Sequence, residues 1–420
     1  MKNSPIAVRR GTMTAWLLLI AACLLPGTAS ASDATPLPAQ ATAGHVEHGH
    51  VEHGHVPHGG IQIVHKAGGG LGFTTADGSN LTIRSRVMML AERGQTGSDD
   101  ATHGVTVRRA RVVLQHTTRP WHLVSKLELA ISPRDLGMAS NGPRNSPLLS
   151  WSVEWERYRD LHLRVGQFKV GYSRQRVISS GDLQMVDRTF VQTEFNLDRD
   201  IGVEFYTHDL GGLDRLRYVL GLYNGEGRDL TSPSASPPLA LGRLEWLPLG
   251  LFDDYKEADL KRTPTPKLSI GVAAAWMPGA ARDRGVLGNV PKDGGTTDFA
   301  MMTADVHGKW RGLSLSMEAY RRDGTRHPGT DAGLVAARNG WGAAATLGWM
   351  LPLAGDFEAC ARLGVIRGTA GSALPDLREA GGGLSWYFTG HGDKLQADVV
   401  HVDRAGTGEL RVRLQLQASL

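Results

Sequence analysis

A histidine-rich repeat near the start of the chain is the clearest group of residues that could bind a metal ion. The stretch GHVEHGHVEHGHVPHGG contains His45, His48, His50, His53, His55 and His58. Neutral imidazoles are ligands for zinc, copper and nickel, and two to four of them can close around one ion. Residues 32–79 around this repeat show no apolar periodicity, so we expect them to be disordered. A solvated tail with weak, unselective metal affinity is the alternative to a functional metal site.

Arginines form a second group of residues that could bind a ligand, because guanidinium groups match the oxygens of phosphate. They recur at every second position in three segments, which predicts that each set shares one face of a β-strand. The residues are Arg84, Arg86, Arg109, Arg111, Arg411 and Arg413. Closure of a barrel would make the three segments neighbours and would align their arginines as one positive wall, which favours anions. Solvated arginines without a specific function are the alternative.

A long connection, residues 171–198, mixes charges of both signs. Its cations are Arg174, Arg176 and Arg188, and its acids are Asp182, Asp187, Glu194 and Asp198. Three cations against four acids do not make a phosphate trap by count.

The same connection offers the parts of a hydrolytic site. Ser179 and Ser180, with Asp182, Asp187, His162 and His208, could in principle be arranged as nucleophile and base. Nothing in their spacing enforces that arrangement, and a Ser-Ser pair in a loop is typical of turns. We therefore expect no enzymatic activity.

Strict alternation of apolar and polar residues predicts the elements that position these side chains. The chain closes on LRVRLQLQASL, and sixteen such segments follow one another from residue 80 onward. Most have the length that a tilted strand needs to cross a bilayer. The pattern predicts an all-β fold, a 16-stranded antiparallel transmembrane β-barrel over residues 80–420, with an apolar outside and a polar lumen.

The links between these segments alternate between short and long, as the periplasmic turns and outer loops of outer-membrane barrels do. Two links depart from this rule. Residues 249–265 are long where a short turn is due, and residues 404–407 are short where a loop is due.

The first 31 residues predict export. Lys2, Arg9 and Arg10 form a basic region, an apolar stretch follows, and the small residues at 29–31 form a cleavage site, so we interpret residues 1–31 as a signal peptide. Removal of three cations leaves a nearly neutral chain, which gives no reason to expect nucleic acid as a partner. Cys360 is then the one cysteine left, and no intrachain disulfide can form.

Several motifs resemble the phosphate-selective porin O and P family. They are LRVGQFKVGYSRQRVISSGDLQMVDRTFVQTEFNLDRDIGVEFY at 163–206, YVLGLYNGEG at 218–227, TVRRARVVLQ at 106–115, LSWYF at 384–388 and the closing RVRLQLQ. In that family a strand ending in GQFK enters a long inward loop, and an RDIG strand returns from it. The resemblance implies a trimeric outer-membrane channel whose third outer loop, here Gly171–Asp198, folds inward as a constriction loop.

The resemblance also implies a function. We expect passive diffusion of small hydrophilic solutes across a bacterial outer membrane, with anions such as phosphate preferred. A general, weakly selective porin is one alternative, and a metal-handling outer-membrane protein that works through its histidine tail is another. The expected partners are outer-membrane lipid, small anions or other small solutes, and two further copies of the chain. No cofactor is expected apart from zinc, copper or nickel on the tail.

Overall fold

The structure, a computed structural model, describes residues 61–420 except for residues 67, 140, 141, 144, 231–235 and 331–334. The predicted signal peptide and the six histidines of the tail lie outside the described residues. Among the residues that are described, helices are short, and none has the length and apolar character needed to cross a membrane.

Long antiparallel strands make up most of the described chain. The strands are β1 (Gln62–Lys66), β2 (Gly70–Thr74), β3 (Asn80–Thr96), β4 (Thr102–Thr118), β5 (Leu123–Ala130), β6 (Met138–Ala139), β7 (Gly142–Pro143), β8 (Leu148–Tyr158), β9 (Leu161–Lys169), β10 (Arg199–Tyr206), β11 (Leu216–Tyr223), β12 (Leu239–Trp246), β13 (Lys267–Ala280), β14 (Thr296–Trp310), β15 (Leu313–His327), β16 (Gly340–Met350), β17 (Asp356–Gly368), β18 (Leu377–Thr389), β19 (Asp393–Arg404) and β20 (Thr407–Ser419). The helices are α1 (Pro133–Leu136), α2 (Arg174–Val177), α3 (Phe190–Phe195) and a single 3₁₀ turn, Leu210–Gly212.

Sixteen of these strands form a closed antiparallel barrel, as the alternation predicts. Strands β3 to β5 and β8 to β20 pair in chain order, and β20 returns to pair with β3, with Gln415 opposite Leu90. Closure gives every barrel strand a partner on both sides. Complete pairing stabilises a barrel in hydrocarbon, because an unpaired backbone N–H or C=O group has no water there to bind.

The barrel is apolar outside and polar inside. On β20, Leu414 is 48% exposed and points outward, whereas the neighbouring Gln415 is 1% exposed and points inward. Outward-facing tryptophans lie at strand ends, such as Trp310 on β14 and Trp349 on β16. Such residues favour the interface between lipid and water. This distribution reverses that of a soluble protein and fits a strand with lipid on one side.

The end of the segment predicted to be disordered is folded, which corrects that prediction for residues 61–79. Strands β1 and β2 form a hairpin, and β2 continues the sheet beside the start of β3, with Leu71 opposite Ile83. Thr75 and Ser79 close the turn to β3, since the Thr75 hydroxyl donates to the Ser79 carbonyl at 3.1 Å. Strands of five residues are too short for a period-two pattern to stand out from a glycine-rich background.

The short outer link at 404–407 is a two-residue hairpin. Ala405 and Gly406 both have positive φ, at 50° and 91°. Two consecutive residues of this kind form the tight turn whose twist matches that of paired strands. This tight turn explains why the link between β19 and β20 is short, although the other links at the same end of the barrel are loops.

Candidate functional site

The connection after β9, residues 170–198, packs against inward-facing side chains of distant strands, and we call it the inward segment. The Gln184 side chain donates to Glu358 of β17 at 2.5 Å. The Val186 amide donates to Asp398 of β19 at 3.0 Å. These acceptors lie on the polar face of the barrel wall, so the inward segment lies on the lumenal side of the strands.

Small residues on the inner face of β16 make room for the inward segment. A Cβ atom on Gly342 would lie 2.8 Å from both Phe195 and Val191 of α3. At Gly348 an added Cβ would overlap the Gln184 amide. A larger side chain at Gly342 would push against the packed side chains of α3, and one at Gly348 would displace the Gln184 side chain from its hydrogen bonds.

The start of the inward segment is held by a balanced group of charges. Arg174 of α2 is 3% exposed and donates to Asp305 at 2.5 Å, to Asp254 at 2.7 Å and to the Ser269 hydroxyl at 2.8 Å. Two further arginines and one glutamate complete the group, which also contains Arg217, Arg243 and Glu245. Three guanidinium groups face three carboxylates in this group. Arg174, which the sequence predicts as a site residue, therefore positions the inward segment and offers no free charge to a solute.

The long link between β12 and β13, residues 247–266, also enters the lumen, and we call it the second inward segment. Its Glu257 is fully buried and accepts from the Gln175 amide and from the Gln184 backbone N–H, both at 2.8 Å. Its own backbone N–H donates to the Asp182 carbonyl at 3.1 Å. The link is longer than a turn because it packs against the inward segment.

The first predicted arginine pair lies beside the serines of the inward segment. Arg86 donates to the hydroxyls of Ser179 at 3.0 Å and Ser180 at 3.4 Å. Arg84 donates to the Gln115 side chain at 3.1 Å. Burial raises the pKa of the nearby Asp182 carboxyl, and the positive charge of Arg86 opposes that rise.

Carboxylates neutralise three other arginines of the predicted wall. Arg111 donates to both oxygens of Asp135, at 2.8 and 3.0 Å. Arg411 donates to Glu409 at 2.6 Å. Arg413 donates to both oxygens of Asp398, at 2.7 and 2.9 Å. The strand register also separates the six positions, because Arg109 and Arg111 lie opposite Met88 and Arg86 whereas Arg411 and Arg413 lie opposite Gly94 and Glu92, further along β3.

Arg108 is a lumenal residue that alternation assigns to the lipid face. A β-bulge sets Arg108 and Arg109 against the single residue Met88 and thereby changes the parity of β4. Arg108 is consequently buried and shares Asp187 with Arg413. The sequence contains a signal for this bulge. The odd-numbered positions of β4 change from the apolar, outward Val107 to the basic, inward Arg109 and Arg111, and a regular strand would keep them all on one face.

A cavity of about 210 Å³ brings three of the predicted arginines together, and we call it the arginine cavity. Its charged lining is Arg109, Arg176, Arg188 and Arg284 with Asp187 and Asp198. Gln192, Thr193 and Asn196 of the inward segment add polar groups. Four guanidinium groups against two carboxylates leave this part of the lumen positive.

The arginines of this cavity differ in their partners. Arg176 forms an ion pair with Asp198, whereas Arg109 donates to the Met88 sulfur at 3.7 Å. Arg188 donates to the carbonyls of Gln175 at 2.7 Å and Ile178 at 2.6 Å. Burial lowers the pKa of Arg188 to about 10, so it remains charged at neutral pH.

Comparison with solved structures shows the fold. No protein-family model matches the chain, and no curated protein matches it. An anion-selective porin from Comamonas acidovorans is 15% identical, with a TM-score of 0.57, and the match covers 81% of this chain and 100% of the porin. The outer membrane channel DcaP of Acinetobacter baumannii is 13% identical, with a TM-score of 0.52, over 83% of this chain and 99% of the channel. The chain therefore has the fold of known outer-membrane barrels.

Proposed function

We propose that this chain is an outer-membrane porin that allows passive diffusion of small hydrophilic solutes and prefers anions such as phosphate. The arginine cavity is the observation that carries the preference for anions. The inward segment narrows the lumen in this proposal and so forces solutes close to the cavity wall. The anion-selective porin from Comamonas acidovorans supports the proposal through its fold alone.

The chemistry of the cavity favours anions for two reasons. Guanidinium groups offer several N–H donors in a planar fork that matches phosphate oxygens. A narrow passage with low-dielectric walls also strengthens the field of any net charge. With four arginines and two acids around the cavity, that net charge is positive.

The biological setting belongs to the same proposal. The chain would be exported through cleavage after residue 31, inserted into the bacterial outer membrane and assembled as a homotrimer, as the resemblance to the phosphate-selective family implies. It would have no enzymatic activity, and the contacts of Ser179 and Ser180 with Arg86 support this, since arginine is not a general base. The mass of the purified protein in detergent tests the trimer.

The experiment is single-channel recording of refolded protein in a planar bilayer, with the reversal potential measured in a KCl gradient and phosphate added in steps. We expect chloride to permeate better than potassium and phosphate to block the chloride current. Arg109→Gln should reduce the ratio of anion to cation permeability by roughly twofold, because it removes one of the four cations that line the cavity. Arg321→Gln is the control, since Arg321 is exposed and pairs with exposed Asp323.

The outcomes separate the alternatives. A large conductance without ion preference and without phosphate block would identify a general, weakly selective porin. A preference that Arg109→Gln leaves unchanged would contradict the role of the arginine cavity. Absence of any conductance would contradict the proposal that the chain is a porin.

A further inference from the structure

Three side chains that can bind metal meet on the lumenal side of the barrel, at the end where the strand connections are short. They are Glu156 near the end of β8, His162 at the start of β9 and His208 just after β10. One potential ligand atom from each lies within 4.8 Å of the other two. None of them belongs to the arginine cavity or to the histidine repeat of the tail.

Neighbouring contacts orient these side chains toward one another. The Tyr206 hydroxyl donates to Oε1 of Glu156 at 3.1 Å and holds the carboxylate in place. The imidazole rings of His162 and His208 meet edge to face, with centroids 5.1 Å apart. Nε2 of His208 lies 3.9 Å from Oε1 of Glu156. Bound metal ligands are typically held in this way by a second group.

His162 offers a second, independent observation that points to a ligand. Its side chain is only 7% exposed, and its Nδ1 atom finds no hydrogen-bond partner among the residues that the structure describes. A buried polar atom is normally satisfied by protein, water or an ion. A metal ion between the three side chains would satisfy it.

The three potential ligand atoms would need to move only slightly to bind a zinc ion. Ligands of a tetrahedral zinc ion lie about 2.0–2.2 Å from the metal and hence roughly 3.4 Å from one another. The His208 side chain is 67% exposed, so it can move by the required ~1 Å without disturbing packed residues. Its exposure also leaves a path for the ion to enter.

We propose that Glu156, His162 and His208 form a binding site for a divalent transition metal such as zinc. Two imidazoles and one carboxylate are the ligand types that zinc, copper and nickel accept, whereas calcium and magnesium require oxygen ligands. Three protein ligands leave one coordination position for water. The site is independent of the proposed porin function, since no solute preference enters the argument.

The test uses the full chain with the six tail histidines, His45 to His58, replaced by alanine, so that the tail cannot contribute zinc binding. Zinc titration of this protein in detergent by calorimetry should show one ion per chain with micromolar affinity. Adding His208→Ala should weaken zinc binding at least tenfold. Since His208 is exposed, that variant should fold, and migration without heating on a denaturing gel verifies that it does.

Two further variants complete the design. Glu156→Gln keeps an acceptor for Tyr206 but removes the charge, and we expect it to weaken zinc binding at least tenfold as well. His103→Ala, at an exposed histidine on β4, is the matched control and should leave the affinity unchanged. Affinity that is equal in the His208→Ala variant, or no zinc binding in the tail-replaced chain, would overturn the proposal.

Discussion

The role of each lumenal arginine depends on the acceptor that it meets. Arg111 shares its guanidinium between Asp135 and Glu128, whereas Arg109 contacts the sulfur of Met88 and lines the arginine cavity. The two residues lie on the same face of β4, and alternation treats them alike. Their surroundings differ because Arg111 is held in ion pairs whereas Arg109 lines the arginine cavity.

We expect Arg111→Gln to destabilise the barrel by about 3 kcal/mol. The substitution removes the guanidinium that contacts both oxygens of the partly buried Asp135, and it leaves Glu128 with Arg199 as its arginine partner. Loss of a buried counter-charge costs several kcal/mol. Urea unfolding in lipid vesicles, followed by tryptophan fluorescence, measures the effect. Arg321→Gln removes an exposed ion pair and should change the free energy of unfolding by less than about 1 kcal/mol. Equal effects of the two substitutions would contradict this assignment.

Two connections that enter the barrel from opposite ends meet inside it. The inward segment comes from the end that carries long loops, and the second inward segment comes from the end with short turns. Glu257 joins them through Gln175 and Gln184, and Asp254 joins them through Arg174. The two inward segments are thus held together by shared buried contacts.

Glu257→Ala should loosen the contact between the two inward segments. It removes the acceptor of two buried N–H groups, and each unsatisfied donor costs about 1–3 kcal/mol. We expect larger and noisier single-channel currents than in the unaltered protein. Lys256→Ala, at the neighbouring position where the side chain is 45% exposed, serves as the control and should leave the noise of the current unchanged. Currents that are the same in both variants would show that Glu257 does not hold the segments.

The whole molecule is arranged for lipid outside and water inside. Three leucines and one valine cover the outer face of β20, and Arg413, Gln415 and Gln417 occupy its inner face. The hydrophobic effect therefore stabilises the barrel in a bilayer, whereas its hydrogen-bonded strands and ion pairs organise the interior.

Leu414→Arg, near the middle of β20, should destabilise the barrel in vesicles by about 2–4 kcal/mol, because it places a charge in hydrocarbon. Leu410→Arg lies close to the strand end, where the expected cost falls to about 0–1 kcal/mol. Urea titration in the same vesicles compares the free energies of unfolding of the two variants. An equal loss at both positions would show that β20 does not cross the bilayer as described.

Alternation along the chain predicts the number of barrel strands and the faces of most of them. A strand between lipid and water must alternate, and the closing LRVRLQLQASL shows that requirement directly. The sixteen alternating segments all form strands, and the long link between β9 and β10 follows from the same pattern, whereas its inward course is what the family resemblance implies.

Which lumenal charges form ion pairs depends on contacts that arise when the barrel closes. Arg174 meets Asp305, which lies far from it in the chain, and the bulge at Arg108 changes the parity of β4. The hairpin of β1 and β2 and the inward course of residues 247–266 also depend on surfaces that distant strands provide. Alternation is a local consequence of two solvents on two faces, whereas ion pairing depends on which residues closure of the barrel brings within a few ångströms.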